Sequence, residues 1–229
     1  MKVSTQAWII AHRGASKEVK ENTLGAFRRA IERGAHCLEV DVHLTKDGIP
    51  ICRHDFAVGP DCKLVSELTV KELKERAEGT PTLEQLLSVN RGSVELFVEL
   101  KSEGCRDPSQ LVRAVTELLA FYGGFGNTQP FAGSFSASIL RELVGVWPHD
   151  KMVGIVEYAS EIDPLLAHRP AILAMEAALA TPQRVQNLQQ QGIKVWCWTV
   201  DDEVKARQLL DCGVQGIITN DPHKLLSVI

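Results

Sequence analysis

The sequence has no basic surplus: 25 lysines and arginines stand against 29 acidic residues, a formal net charge of −4. That argues against a nucleic-acid partner, whose phosphates call for a cationic surface, and leaves room for a local basic pocket that takes one phosphate. There is no long apolar opening run. Residues 1–13 hold one lysine and a very short apolar stretch, so neither a secretion signal nor a membrane span is expected. No polybasic stretch or basic amphipathic helix offers a stable membrane anchor. The six cysteines, Cys37, Cys52, Cys62, Cys105, Cys197 and Cys212, show no CxxC pair and no zinc spacing with histidine. They are scattered, and three lie in apolar strand-like runs. They read as reduced thiols, which points to a reducing compartment, the cytoplasm. No linker, repeat or shift of composition divides the chain. At 229 residues and 45% hydrophobic content it can bury one sizeable core, so one domain over residues 1–229 is expected.

What is present is an alternation of strand-like and helix-like segments. Strands are predicted at 8–11, 37–42, 49–53, 95–100, 131–134, 152–156, 172–175, 194–198 and 216–219. Helices are predicted at 23–33, 70–76, 83–89, 110–122, 137–146, 182–190, 202–212 and 222–228. Asn22 or Thr23 opens the first helix and Gly34 closes it; Asp201 or Asp202 and Gly213 bracket a later one. Nine strands are one too many for an eightfold barrel. However, 37–42 and 49–53 are separated only by a short turn containing Asp47-Gly48, and a parallel crossover needs a dozen or more residues. The segment 49–53 is therefore expected to return antiparallel, as the second arm of a hairpin. The other eight strands then suit a parallel (βα)8 TIM-type barrel, with an open doubly wound sheet as the alternative.

The chemistry-bearing residues crowd into the first quarter of the chain. Glu39 and Asp41 stand two apart on one strand, so their side chains share a face; Glu99 and Lys101 repeat the pattern on another. In a barrel, residues at the C-terminal strand ends line the active site. Buried carboxylates are costly unless paired or metal-bound. Glu39, Asp41 and Glu99 could supply hard oxygen ligands to Mg²⁺ or Ca²⁺, or form an ion-pair cluster with Arg13 and Lys101, or be solvated charges on edge strands. His12 and Arg13 lie where the first strand ends, and the hairpin should carry His54 back beside Asp41. Glu176 and Trp198 end later strands and are expected at the same mouth. His36, His43, His149, His168 and His223 are read as structural, and Phe135 as core.

His12-Arg13-Gly14, Glu21-Asn22-Thr23-Leu24, Glu39-Val40-Asp41-Val42, Thr45-Lys46-Asp47-Gly48 and His54-Asp55 together resemble the pattern of the glycerophosphodiester phosphodiesterase family. Pro81-Thr82-Leu83-Glu84, Glu99-Leu100-Lys101, Ser134-Phe135-Ser136, Trp198-Thr199-Val200 and the run from Gly213 to Pro222 follow in the family's order, so the likeness covers essentially the whole chain. The resemblance implies a barrel of the phosphatidylinositol-phospholipase-C-like phosphodiesterase type. It implies hydrolysis of small-molecule glycerophosphodiesters to an alcohol and sn-glycerol 3-phosphate. By motif position, His12 and His54 match the acid/base pair, Glu39, Asp41 and Glu99 the ligands of one divalent cation, and Arg13 and Lys101 the phosphate-binding cations. Glu176 and Trp198 are expected to contact the glycerol. Two departures stand out: Lys20 replaces a common proline, and residues 56–80 are shorter than the insertion that shapes the alcohol side of the pocket in many members. A lysophospholipase D-type enzyme would use the same groups on a lipid, as would a sphingomyelinase D-like one, whose secreted form goes with a signal and disulfides. A non-catalytic glycerophosphodiester-binding barrel would be expected to lack one of these groups, and none is missing.

Overall fold

Strict alternation of inward and outward side chains along short strands, each followed by a capped helix, builds the architecture of the computed structural model, which describes residues 7–122 and 129–229. The strands are β1 (Trp8–Ala11), β2 (Cys37–Leu44), β3 (Pro50–Cys52), β4 (Ala57–Val58), β5 (Lys63–Leu64), β6 (Glu95–Leu100), β7 (Phe131–Ser134), β8 (Met152–Val156), β9 (Ile172–Glu176), β10 (Lys194–Trp198) and β11 (Gly216–Thr219). The helices are α1 (Leu24–Glu32), α2 (Val70–Arg76), α3 (Leu83–Asn90), α4 (Pro108–Phe121), α5 (Ala137–Leu143), α6 (Ile162–Leu166), α7 (Pro182–Gln190), α8 (Glu203–Asp211) and α9 (Pro222–Leu225). Eight strands pair in parallel around a closed ring, β1-β2-β6-β7-β8-β9-β10-β11, and β1 also pairs with β11. That closure removes the open doubly wound sheet. Residues 1–6, part of the opening stretch read as neither signal nor span, lie outside the described residues.

The expected hairpin is present. β3 runs antiparallel to β2, with Val42 opposite Cys52 and Leu44 opposite Pro50. Gly48 takes the positive φ (78°) that the turn requires, a conformation strained for residues with a Cβ. Several details differ from the expectations. Residues 56–80 carry a second small hairpin, β4–β5, and a satellite core of Ile51, Val58, Val65, Leu68 and Leu73. Helix α4 begins at Pro108 rather than 110, because Asp107 caps it by accepting from the Ser109 and Gln110 N–H groups and Pro108 suits the first turn. Helix α5 stops at Leu143, and a short helix, α6, with Pro164 in its first turn, joins β8 to β9.

Two layers of apolar packing result. Between strands and helices, α1 buries Ala26, Phe27 and Ala30; burying a side chain such as Phe27 stabilises the fold by about 2–3 kcal/mol. Inside the ring, aromatic side chains fill the N-terminal end. Trp196 meets Phe131 edge-on at 5.1 Å and Phe97 at 5.6 Å, and stacks on Trp8 at 6.4 Å. Lys151 places its ammonium 3.9 Å from the Phe131 ring centre and 3.2 Å from Glu95. Gly216 lies against the Trp196 indole so closely that a Cβ would collide with it. The opposite end of the barrel is open, and the polar groups collect there.

Candidate active site

Strand register assembles the carboxylates. Asp41 on β2 stands opposite Glu99 on β6, and Glu39 stands opposite Phe97. One oxygen from each of Glu39, Asp41 and Glu99 lies within 4.8 Å of the others. All three side chains are buried. Such a cluster needs cations and donors, and the first turn after β1 provides them. Arg13 (φ 57°) and Gly14 (φ 84°) both adopt left-handed backbone, and a Cβ on Gly14 would strike the Ala26 backbone. From this turn the Arg13 backbone N–H donates to Glu39 Oε2 at 2.8 Å. Its Nε lies 3.0 Å from Asp41 Oδ2, and a terminal nitrogen donates to Glu21 at 3.1 and 3.0 Å. Asn22, also left-handed at φ 53°, donates its amide to Asp41 Oδ2 at 2.8 Å. Lys101 donates to Glu99 Oε1 at 2.7 Å and stands 3.5 Å from Asp41 Oδ1.

These contacts leave a remainder. Glu39 Oε1 and Asp41 Oδ1 are buried and accept no hydrogen bond. Burial, then the charges of Asp41 and Glu99, push the Glu39 carboxyl well above its ordinary range. Burial and Asp41 push Glu99 up to about 7 in spite of Lys101. Burial would raise Asp41 as well, but Arg13, Lys101 and the Asn22 amide outweigh it and hold that carboxyl below its usual value. Orphaned buried oxygens on clustered acids suit a hard divalent cation, which takes oxygen ligands. The residues therefore fit the expected metal.

Two histidines flank this cluster. His12 follows β1 and anchors its backbone N–H on Thr219 at 2.8 Å. Its Nδ1 lies 2.8 Å from Asn220 Oδ1, and Asn220 in turn bonds Asp201 at 2.8 Å. Burial first, then the Arg13 charge, lower the His12 pKa below 6.5. His54 arrives on the hairpin: the Arg53 N–H donates to the Asp41 carbonyl at 3.0 Å and extends the β2–β3 pairing to the next residue. His54 Nδ1 lies 3.1 Å from Asp55 Oδ1, and its carbonyl stands 3.0 Å from His43 Nε2. His43 thus braces the loop that carries His54, while His36 accepts from the Ile9 N–H at 2.9 Å.

A cleft of about 380 Å³ joins these groups. His12, Arg13, Glu39, His54, Glu99, Lys101 and Trp198 line it, and Asp41 lies buried behind Arg13. Phe97, Ile155 and Ile218 contribute apolar surface, and Glu103, Glu157, Glu161 and Thr199 add polar groups. Glu176 departs from expectation and is not among the lining residues. The chain turns directly after it, and its carboxylate accepts the Ala178 N–H at 2.7 Å instead of reaching the mouth. Phe135 also departs from expectation. It lines the cleft, edge-on to Trp198 at 5.6 Å and 5.8 Å from Lys101 Nζ. Sequence reasoning missed Asn220 and Asp201 as neighbours of His12; Asn220 follows β11, which pairs with β1, and Asp201 follows β10, which pairs with β11, and that strand order was the available signal.

The model of the glycerophosphoryl diester phosphodiesterase family matches residues 12–224. The chain belongs to that family. Membership makes it a phosphoric diester hydrolase. Among curated relatives, a glycerophosphodiester phosphodiesterase of Caldanaerobacter subterraneus subsp. tengcongensis is 30% identical over 242 residues, covering 96% of this chain and 97% of that protein. An Oleispira antarctica phosphodiesterase, solved in complex with the product sn-glycerol-3-phosphate, is 27% identical and superposes with a TM-score of 0.87 over 96% of each chain. A glycerophosphodiester phosphodiesterase from Thermotoga maritima shares the fold, with a TM-score of 0.81 at 24% identity over 98% of this chain and 99% of that one.

Proposed function

We propose that this phosphodiesterase hydrolyses glycerophosphodiesters to an alcohol and sn-glycerol 3-phosphate, with His12 and His54 as general base and acid. One divalent cation, Mg²⁺ or Ca²⁺, would be held by Glu39, Asp41 and Glu99. The observation that carries the reading is the pair of orphaned buried oxygens, Glu39 Oε1 and Asp41 Oδ1, in a cluster bordered by two histidines that line one cleft. The product bound by the Oleispira antarctica relative supports the same substrate class. When bound, the cation would neutralise phosphate charge and acidify a coordinated hydroxyl.

The chain's own groups divide the remaining work. Arg13 and Lys101 border the carboxylates and hold the phosphodiester anion by charge. His12, kept neutral by burial, accepts at Nε2 the proton of the attacking hydroxyl, either water's or the glycerol's own 2-hydroxyl. As the new P–O bond forms, the bond to the alcohol oxygen breaks, and His54 donates a proton to that oxygen. Attack by the 2-hydroxyl gives a cyclic phosphate; His54, now neutral, then takes a proton from the water that opens the ring, and His12, now protonated, returns one to the 2-oxygen. Trp198 and Phe135 offer apolar surface to the glycerol carbons. The reading also takes residues 1–229 as one barrel domain in the cytoplasm. Six free cysteines support a reducing compartment, and no helix among the described residues is long and apolar enough to cross a membrane.

Incubation of the purified protein with glycerophosphocholine, with Mg²⁺, with Ca²⁺ and with chelator, tests the proposal by release of sn-glycerol 3-phosphate. Release that depends on a divalent ion is expected. No release with either ion, from this substrate or from glycerophosphoethanolamine, overturns the assignment.

A further inference from the structure

A hydrogen-bonded chain at the barrel mouth runs from Asp201, beyond β10, through Asn220, beyond β11, to His12, beyond β1. Charge dictates the order of donors along it. Asp201 Oδ1 accepts from the Thr219 hydroxyl and the Asn220 backbone N–H, both at 2.8 Å, and Oδ2 faces the Asn220 side chain at 2.8 Å. Burial alone would raise Asp201, but these bonds hold it below its ordinary value, so it is an ionised acceptor. A carboxylate only accepts, so the Asn220 atom against it is Nδ2. Asn220 Oδ1 therefore faces His12 Nδ1, at 2.8 Å. An amide oxygen also only accepts, so the proton of the neutral ring sits on Nδ1 and the lone pair on Nε2. The Ser16 hydroxyl, 2.8 Å from the same amide oxygen and 2.9 Å from the His12 carbonyl, ties the turn to the chain.

We propose that Asn220 and Asp201 are positioning residues that fix the tautomer of His12, so that Nε2 meets the cleft as a proton acceptor. The proposal rests on the reading of His12 as general base. A neutral amide stands between the carboxylate and the ring. The chain thus orients the imidazole without placing a full negative charge in contact with it.

Asp201→Asn is an isosteric test. The new side-chain oxygen must stay with the Asn220 backbone N–H, which can only donate, so the new NH₂ faces the Asn220 side chain. Asn220 then turns its oxygen toward residue 201 and its NH₂ toward His12. Nδ1 must accept, the ring proton moves to Nε2, and the base is lost. The expected result is a fall in kcat of about a hundredfold or more with KM little changed. In ¹⁵N NMR spectra of histidine-labelled protein in chelator, the protonated-Nδ1 pattern of His12 gives way to the protonated-Nε2 pattern. Combining Asp201→Asn with Asn220→Asp restores an acceptor against Nδ1 with a donor behind it, and should recover both the original pattern and most of the turnover. An unchanged pattern in Asp201→Asn, or a double variant no better than the single one, overturns the proposal. If Asp201→Asn fails to fold by circular dichroism, Asn220→Ala carries the test: a mixed tautomer is expected, and a retained protonated-Nδ1 pattern overturns it. His12→Ala separates the two readings. Near-normal turnover in that variant removes His12 as base, while the tautomer result stands on the spectra alone.

Discussion

Replacing His12 or His54 by alanine should each lower kcat by about 10²–10⁴, the range ascribed to a positioned acid or base, with the circular dichroism spectrum unchanged. With His12 as the proposed base, the acidic limb of kcat/KM is expected below pH 6.5, since burial and Arg13 disfavour its charged form. The carboxylates carry a second pH dependence. Glu39 and Glu99 are raised, Glu99 to about 7, so without metal their burial costs stability as pH rises from about 4.5 toward 7. Asp41 is lowered, and its contribution is lost only as pH falls below its ordinary 3.8. A cation held by these carboxylates, as proposed, would offset the cost of the first two. The thermal shift produced by Mg²⁺ or Ca²⁺ should therefore grow between pH 5 and pH 8 in differential scanning fluorimetry, and a shift independent of pH would count against these ligands. Glu39→Gln should weaken metal affinity in calorimetric titration, with activity partly restored by excess ion. At this scale much was legible. The i, i+2 spacing on β2 and the turn after β1 reveal Glu39, Asp41, Arg13 and His12. Glu176 misled because its alternation is right while its carboxylate finds a nearer donor, Ala178 N–H, and periodicity does not reveal such local competition.

Among elements, the β2–β3 hairpin matters most to the proposed function, because its return arm carries His54 to the cleft. A Cβ added at Gly48 (φ 78°) would meet nothing within 4 Å, so Gly48→Ala suffers from backbone conformation and not from crowding. It should cost about 1–2 kcal/mol in urea denaturation and lower kcat by loosening the arm, while calorimetric metal affinity holds. The hairpin was legible from Asp47-Gly48 and the shortness of the connection. The small β4–β5 pair was not, since each strand is two residues long, too short to show a period. Helix α6 was hidden for a similar reason: five residues with an internal proline offer no amphipathic repeat. The start of α4 was misplaced because Asp107-Pro108 acts as cap and first turn, outside the apolar pattern.

For the whole molecule, eight parallel strands could be counted from the sequence once the hairpin arm was set aside. Which side chains would meet inside the ring could not, because that depends on strand stagger. Trp196→Ala should cost about 3–5 kcal/mol by emptying the aromatic layer among Trp8, Phe97 and Phe131. Denaturant unfolding measures that loss, and a cost below 1 kcal/mol would show that the layer is loosely packed. The same layer makes the barrel a blind alley. In the proposed reaction a diester arriving and a glycerol phosphate departing would use one doorway, and would compete for Arg13 and Lys101 at its threshold. Accumulated product should then slow the enzyme as a competitor of its own substrate, raising the apparent KM while kcat holds.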